Sequence, residues 1–242
     1  MSDSIASTTA AHAGKASVTV DHPLSMDELA ARIARDIPAG AFVNLGIGQP
    51  TKIADHLPAE LGVTLHTENG MLGMGPKAEG ADIDPDLTNA GKVPVTELAG
   101  AAYFHHADSF AMMRGGHLDI CVLGAYQVSE HGDLANWHTG RPDDIPAVGG
   151  AMDLAIGAKD TYVMMTLFTK SQAPKLVPVC AYPLTGVGCV SRVYTEVATF
   201  DLRPDGVHVL ETYGTTIEEL RSCLNVELHC PPLTSMNRTW CQ

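Results

Sequence analysis

The chain has 242 residues, 45% of them hydrophobic, which is enough apolar material for one substantial core. Its 15 Lys and Arg stand against 28 Asp and Glu, a formal charge of -13, and no basic cluster interleaved with aromatics breaks this balance, so a non-specific nucleic-acid surface is excluded. Apolar runs are interrupted by Gly, His or charge well short of the roughly 20 residues that a membrane helix needs, and the six cysteines show neither a C-x-x-C pair nor zinc-type spacing. No signal-peptide pattern stands near the start, and reduced thiols in the cytoplasm are the expectation.

Residues 1–21 are rich in Ser, Ala, Thr and His without periodicity and are expected to form a flexible tail, followed by a single α/β domain over 22–234 and a short tail over 235–242. Ser25 and Glu28 have the spacing of a capping box before a helix in which Leu29, Ile33 and Ile37 mark the buried face. Residues 41–45 predict a short buried strand, broken by Gly46-Ile47-Gly48 and followed by a helix-like stretch to 57. The same pattern returns at 63–66, a strand that runs into Thr67-Glu68-Asn69-Gly70 and then what reads as a second glycine turn at 73–76. Residues 119–124 and 161–167 are near-continuous apolar runs, the pattern of parallel strands covered on both faces. Residues 193–202 and 207–213 flank Pro204-Asp205-Gly206 as a hairpin or strand pair, and Thr216 with Glu219 forms a capping box for the last helix. The expected architecture is an open, mostly parallel sheet with flanking helices.

Several residues carry chemical potential. Glu68 sits at a strand end among glycines, where open α/β sheets bind ligands, and reads either as a catalytic carboxylate or as an exposed turn carboxylate. Gly46 and Gly48 form a ligand-facing loop or an ordinary strand-to-helix turn; Thr51, standing where a third glycine belongs, excludes the dinucleotide fingerprint. Asn44, polar within an apolar strand, needs partners and would find them in a neighbouring loop or carboxylate. Gly149 and Gly150 precede a short helix, as a turn or as amide donors to an oxyanion. His105, His106, His117, His131 and His138 match no metal-site spacing, no G-x-S-x-G elbow exists, and Cys121, Cys180 and Cys189 read as small core residues.

Asn44-Leu45-Gly46-Ile47-Gly48-Gln49-Pro50 and Thr67-Glu68-Asn69-Gly70-Met71-Leu72-Gly73-Met74-Gly75-Pro76 resemble the glycine loop and the S/T-E-N-G-x-x-G-x-G-P signature of class I coenzyme A transferases. Residues 84–92, 113–117, 132–137, 149–159 and 182–186 resemble that family's later blocks in its order, so the resemblance spans about 24–233. It implies the family's α/β fold, the role of a B subunit, and an A subunit that shares the active site in a heterodimer or heterotetramer. It also implies coenzyme A thioesters as substrates with no permanently bound cofactor or metal. By the same resemblance Glu68 is the nucleophile, Asn44 helps to hold it, Gly149 and Gly150 line the oxyanion and thioester surface, and Gly46, Gly48 and Lys92 lie by the coenzyme. His105, His106 and Gln172 depart from the usual pattern. The stretch 162–194 is most similar to the branch that moves coenzyme A from succinyl-CoA to 3-oxoadipate, with acetoacetate the nearest competing acceptor and a hydrolase or lyase relative further off. Arg192, Lys170 or a residue of the A subunit are the candidates for holding the acceptor's distal carboxylate.

Overall fold

Helix α1 (Met26–Asp36) opens the computed structural model, which describes residues 21–141 and 148–230. The tails expected over 1–21 and 235–242 lie outside the described residues, apart from residue 21, as do the last residues, 231–234, of the expected domain. Both arms of the Ser25/Glu28 capping box are formed, and Leu29, Ile33 and the C-cap residue Ile37 are buried, as the spacing predicts, together with Ala30 and Ala34. Fully burying a side chain such as Leu29 or Ile33 contributes roughly 1.5–3 kcal/mol.

Strand β1 (Phe42–Leu45) follows, then a 3-10 helix over Gln49–His56 where the sequence reads as helix-like. Next come β2 (Thr64–Thr67), β3 (Met71–Lys77), β4 (Val95–Tyr103), α2 (His106–Arg114) and β5 (Ile120–Leu123). After β6 (Gln127–Ser129) and β7 (Leu134–Ala135), the chain forms α3 (Ala151–Gly157), β8 (Asp160–Met164) and β9 (Leu176–Val177). It ends with β10 (Val190–Tyr194), β11 (Ala198–Arg203), β12 (Gly206–Thr212), α4 (Ile217–Cys223) and β13 (Leu228–His229). Ten strands make one sheet in the order β13-β12-β11-β10-β8-β5-β1-β2-β3-β4, and β7-β6-β9 make a small second sheet. The central run from β10 to β2 is parallel throughout, and antiparallel pairs extend it on both sides.

Two local expectations are corrected. Residues 73–76 are part of β3 and not a turn, because missing side chains let β3 lie against β4: a Cβ on Gly73 would meet Ala101 Cα at 3.1 Å, and one on Gly75 would meet Thr96 Oγ1 at 2.4 Å. Residues 193–202 are not one strand, because a turn at Thr195, whose amide donates to Ala198 O (2.9 Å), reverses β10 into β11.

Alternation along the central strands splits the core. Val43, Leu45, Ile120, Val122, Tyr162 and Tyr194 pack with α1 on one face. Cys121, Leu123, Val163 and Val193 pack with Met113 of α2, Leu154 of α3 and Leu220 of α4 on the other. Burial on both faces is why these strands read as continuous apolar runs.

Candidate active site

Strands β8, β5, β1 and β2 run parallel, so their carboxyl ends share one edge of the sheet. Their registers pair Asn44 with His66 on one side and with Cys121 on the other, and Cys121 with Thr161. Residues in register stand side by side on one face, so His66, Asn44, Cys121 and Thr161 form a buried polar row on the α2 and α3 face. Such groups must be hydrogen-bonded, and apart from Asn44 Oδ1 the row finds its partners largely by holding the two helices. Thr161 Oγ1 donates to Ala155 O (3.1 Å), and Cys121 Sγ donates to Leu154 O (3.4 Å), which tethers α3. Ser109 of α2 lies with its Oγ 3.0 Å from His66 Nε2 and donates to Thr67 O (2.9 Å).

Glu68 follows the last residue of β2 and is half-buried. The turn that carries it is closed by Gly70 N donating to Thr67 O (3.1 Å) and Met71 N to Thr67 Oγ1 (3.2 Å). Gly70 is required there: its φ is 113°, and a Cβ would lie 2.1 Å from Phe104 O. Burial pushes the Glu68 carboxyl above the ordinary glutamate range, opposed by its own backbone amide, by hydrogen bonding from Asn44 and by the charge of His106. Gly150, at the start of α3, closes the other side: a Cβ placed there would lie 3.4 Å from both Glu68 Cγ and Phe110 Cζ. A side-chain-free position therefore faces a desolvated carboxylate, made more basic by burial, on a rigid strand end. A carboxylate held in this way can act chemically as a nucleophile.

The coenzyme A transferase family model matches residues 26–213. The chain belongs to the coenzyme A transferase family. The chain is 57% identical over 201 residues to the B subunit of the 3-oxoadipate CoA-transferase of Acinetobacter baylyi, covering 83% of this chain and 93% of that protein. It is 59% identical over 194 residues to the corresponding B subunit of the Pseudomonas putida 3-oxoadipate CoA-transferase, covering 80% and 91%. In fold it matches the Escherichia coli O157:H7 acyl-CoA transferase YdiF with a TM-score of 0.68 at 22% identity, over 89% of this chain and 44% of that one, so it spans less than half of YdiF. It also matches glutaconate coenzyme A-transferase of Acidaminococcus fermentans, with a TM-score of 0.64 at 16% identity, over 86% and 87%.

In this transferase the tertiary structure gathers Glu68, Asn44 and Gly150 into one cluster, with Gly149 (φ 50°) beside it on the open approach. Gly46 is explained by packing: its amide donates to Val122 O (2.9 Å), and a Cβ would lie 3.0 Å from Leu123 Cδ2. Gly48 heads the 3-10 helix with open space around it. Lys92 stands apart on an exposed turn closed by its own amide to Asn89 O (2.9 Å). His105 caps α2 by accepting from Ala107 N, while His106 packs on the Phe110 ring at 4.8 Å. Burial raises the Cys121 thiol to about 12, the behaviour of a core residue. Among the described residues, no three His, Cys, Asp or Glu side chains converge as metal ligands.

Arg192 is committed elsewhere. Its Nη1 donates to Asp36 Oδ2 (3.1 Å), its Nε lies 3.6 Å from Asp201 Oδ1, and its guanidinium covers the Tyr162 ring. It thus ties β10 to α1 on the face opposite the polar row. Lys170 lines a cleft of about 630 Å³ with Lys175 and Glu196, beyond the carboxyl end of β8. His66, Ser109 and Phe110 escaped the sequence reading. A histidine in an apolar strand two residues before Glu68 was the available signal, but its partners depend on register and on a helix some 40 residues away.

Proposed function

We propose that this transferase is a B subunit that moves coenzyme A from succinyl-CoA to 3-oxoadipate through a glutamyl-CoA thioester on Glu68. The observation that carries the reading is the half-buried Glu68 carboxylate, made more basic by burial and faced by Gly150. The relatives from Acinetobacter and Pseudomonas, both named for 3-oxoadipate, support the acceptor. One Glu68 oxygen attacks the succinyl-CoA carbonyl and the C–S bond breaks, giving a succinyl-glutamyl anhydride and coenzyme A thiolate. The thiolate attacks the Glu68 carbonyl, succinate leaves, and the glutamyl-CoA thioester remains. The 3-oxoadipate carboxylate attacks that thioester and expels the thiolate, which then attacks the acceptor's acyl carbon, releasing 3-oxoadipyl-CoA and the Glu68 carboxylate. No water or net proton is consumed, and one difficult exchange is split into easier ones. Exclusion of water protects the thioester.

In this reading the amides around Gly149 and Gly150 stabilise the developing oxyanions with support from Asn44, and the Gly46–Gly48 loop and Lys92 contact the coenzyme, which is substrate and not resident cofactor. The A subunit covers the carboxyl edge of the sheet. Exposed Ile47, after β1, and Met152, at the start of α3, supply apolar surface for it at that edge. Residues 22–234 act as one domain of a cytoplasmic heterodimer or heterotetramer.

The test is to incubate the co-purified two-subunit enzyme with succinyl-CoA and no acceptor. This chain should then gain the mass of coenzyme A at Glu68, released by hydroxylamine; turnover without an acceptor would indicate a hydrolase. Comparison of kcat/KM for 3-oxoadipate and acetoacetate decides the acceptor. Both succinate and 3-oxoadipate carry a distal carboxylate, so a donor-rich subsite built for it would be left unpaired by acetoacetate, at a cost of about 1–3 kcal/mol. A preference for acetoacetate would move the protein to that branch and leave the covalent route intact.

A further inference from the structure

His66 has no part in the reaction above, yet it is buried at 2% exposure next to Asn44 and two residues before Glu68. Its hydrogen-bond roles follow from donor counting. Asn44 Nδ2 has only hydrogens to give, and it lies 3.1 Å from His66 O and 3.1 Å from His66 Nδ1. Turning the Asn44 amide over would set its Oδ1 against a carbonyl oxygen, so Nδ2 is the donor and His66 Nδ1 the acceptor. The hydrogen of the neutral ring is then on Nε2 and goes to Ser109 Oγ (3.0 Å), whose own hydrogen goes to Thr67 O (2.9 Å). Burial lowers the His66 pKa to about 4, so the ring is neutral under working conditions, and its plane stacks against Phe104.

The relay is directional and closed: Asn44 gives to His66, His66 to Ser109, and Ser109 to the peptide that precedes Glu68. With the ring hydrogen on Nε2 the relay is satisfied, and the two hydrogens of Asn44 Nδ2 are shared among three acceptors, His66 O, His66 Nδ1 and the Glu68 carboxylate, while Oδ1 is a buried acceptor without a protein donor among the described residues. We propose that His66 and Ser109 are positioning residues for coenzyme A transfer, acting through the Asn44 amide and the end of β2 to hold Glu68 in its attacking orientation. This rests on Glu68 being the nucleophile.

The experiment uses the two-subunit enzyme and single-turnover formation of the glutamyl-CoA adduct from succinyl-CoA. H66A removes both ring partners and should slow adduct formation about 10- to 100-fold, with KM for succinyl-CoA changing less than about twofold. H66N, which returns an acceptor near the Nδ1 position, should recover part of the rate, and S109A should fall between wild type and H66A. Ring nitrogen signals from ¹⁵N-histidine give a readout independent of activity: His66 should stay neutral with its hydrogen on Nε2 down to about pH 5. A wild-type rate in H66A, a loss confined to KM, or a His66 ring that titrates normally or carries its hydrogen on Nδ1 would overturn the proposal. Should H66A fail to assemble, S109A decides by the same two readouts, since it removes only a hydroxyl. E68Q separates the layers: adduct formation in E68Q sinks the nucleophile assignment, whereas an inactive E68Q beside a fully active H66A sinks only the positioning role.

Discussion

Gly150 offers the most informative substitution, because its effects on fold and on chemistry should part. In G150A the new methyl sits 3.4 Å from Glu68 Cγ and 3.4 Å from Phe110 Cζ, ordinary contact distances, and the backbone at φ −83°, ψ 2° suits alanine. The unfolded chain loses freedom, which favours the variant by about 0.4–1 kcal/mol, while alanine is a poorer helix N-cap than glycine by a similar amount. Stability should therefore stay within about 1 kcal/mol of wild type, roughly 2–4 °C in Tm for a domain of this size. Catalysis has no such compensation. A thioester carbonyl must come within about 3–3.5 Å of the attacking oxygen, and a methyl over the carboxylate displaces it by an amount of order 1 Å, which costs about 10²-fold, or about 2.7 kcal/mol in the barrier. Thermal melting and quenched single-turnover mass spectrometry of the adduct, run on one preparation of the two-subunit enzyme, measure the two effects separately. A wild-type rate of adduct formation in G150A would refute the idea that this glycine keeps the approach to Glu68 open, and a loss of more than about 8 °C in Tm would refute the packing that makes the change mild.

E68Q should abolish the adduct and transfer while leaving the fold intact, read by mass and melting. Because burial raises the Glu68 pKa in the folded chain, ionising it costs stability as pH rises through that value, so E68Q should melt higher at neutral pH and lose this advantage below the ordinary glutamate range. The charge of His106 holds the Glu68 pKa down, so H106A should move the acidic limb of the kcat profile to higher pH; an unmoved limb would remove His106 from the site's electrostatics. R192M removes one partner each from Asp36, which keeps Arg32 and the Tyr194 hydroxyl, and from Asp201, which keeps Arg203, and should lower stability by only about 1 kcal/mol, with the ratio of 3-oxoadipate to acetoacetate turnover unchanged. A shift in that ratio would return Arg192 to the candidate substrate contacts.

What the sequence determined by itself is local. The two capping boxes, the short strands with their apolar runs and the glycine-flanked Glu68 are each readable within about ten residues, because capping, alternation and turn chemistry act over that distance. The motif around Glu68 also carried the family. The tertiary structure decided everything that depends on register or on distant segments. Residues 73–76 look like a turn from their glycines and become a strand only because β4 lies close enough to need them bare. Arg192 looks like a free cation until α1 brings Asp36 to it. Asn44 stands out in the sequence as a polar residue that needs partners, but His66, Cys121 and Thr161 lie in three other strands, and only parallel pairing in one register joins the four into a continuous row. That row then fixes α2 and α3, which set Phe110 and Gly150 against Glu68. Side-chain period shows which face of a strand is buried, but a one-residue slip in pairing would scatter the row, and only the packed sheet sets the pairing.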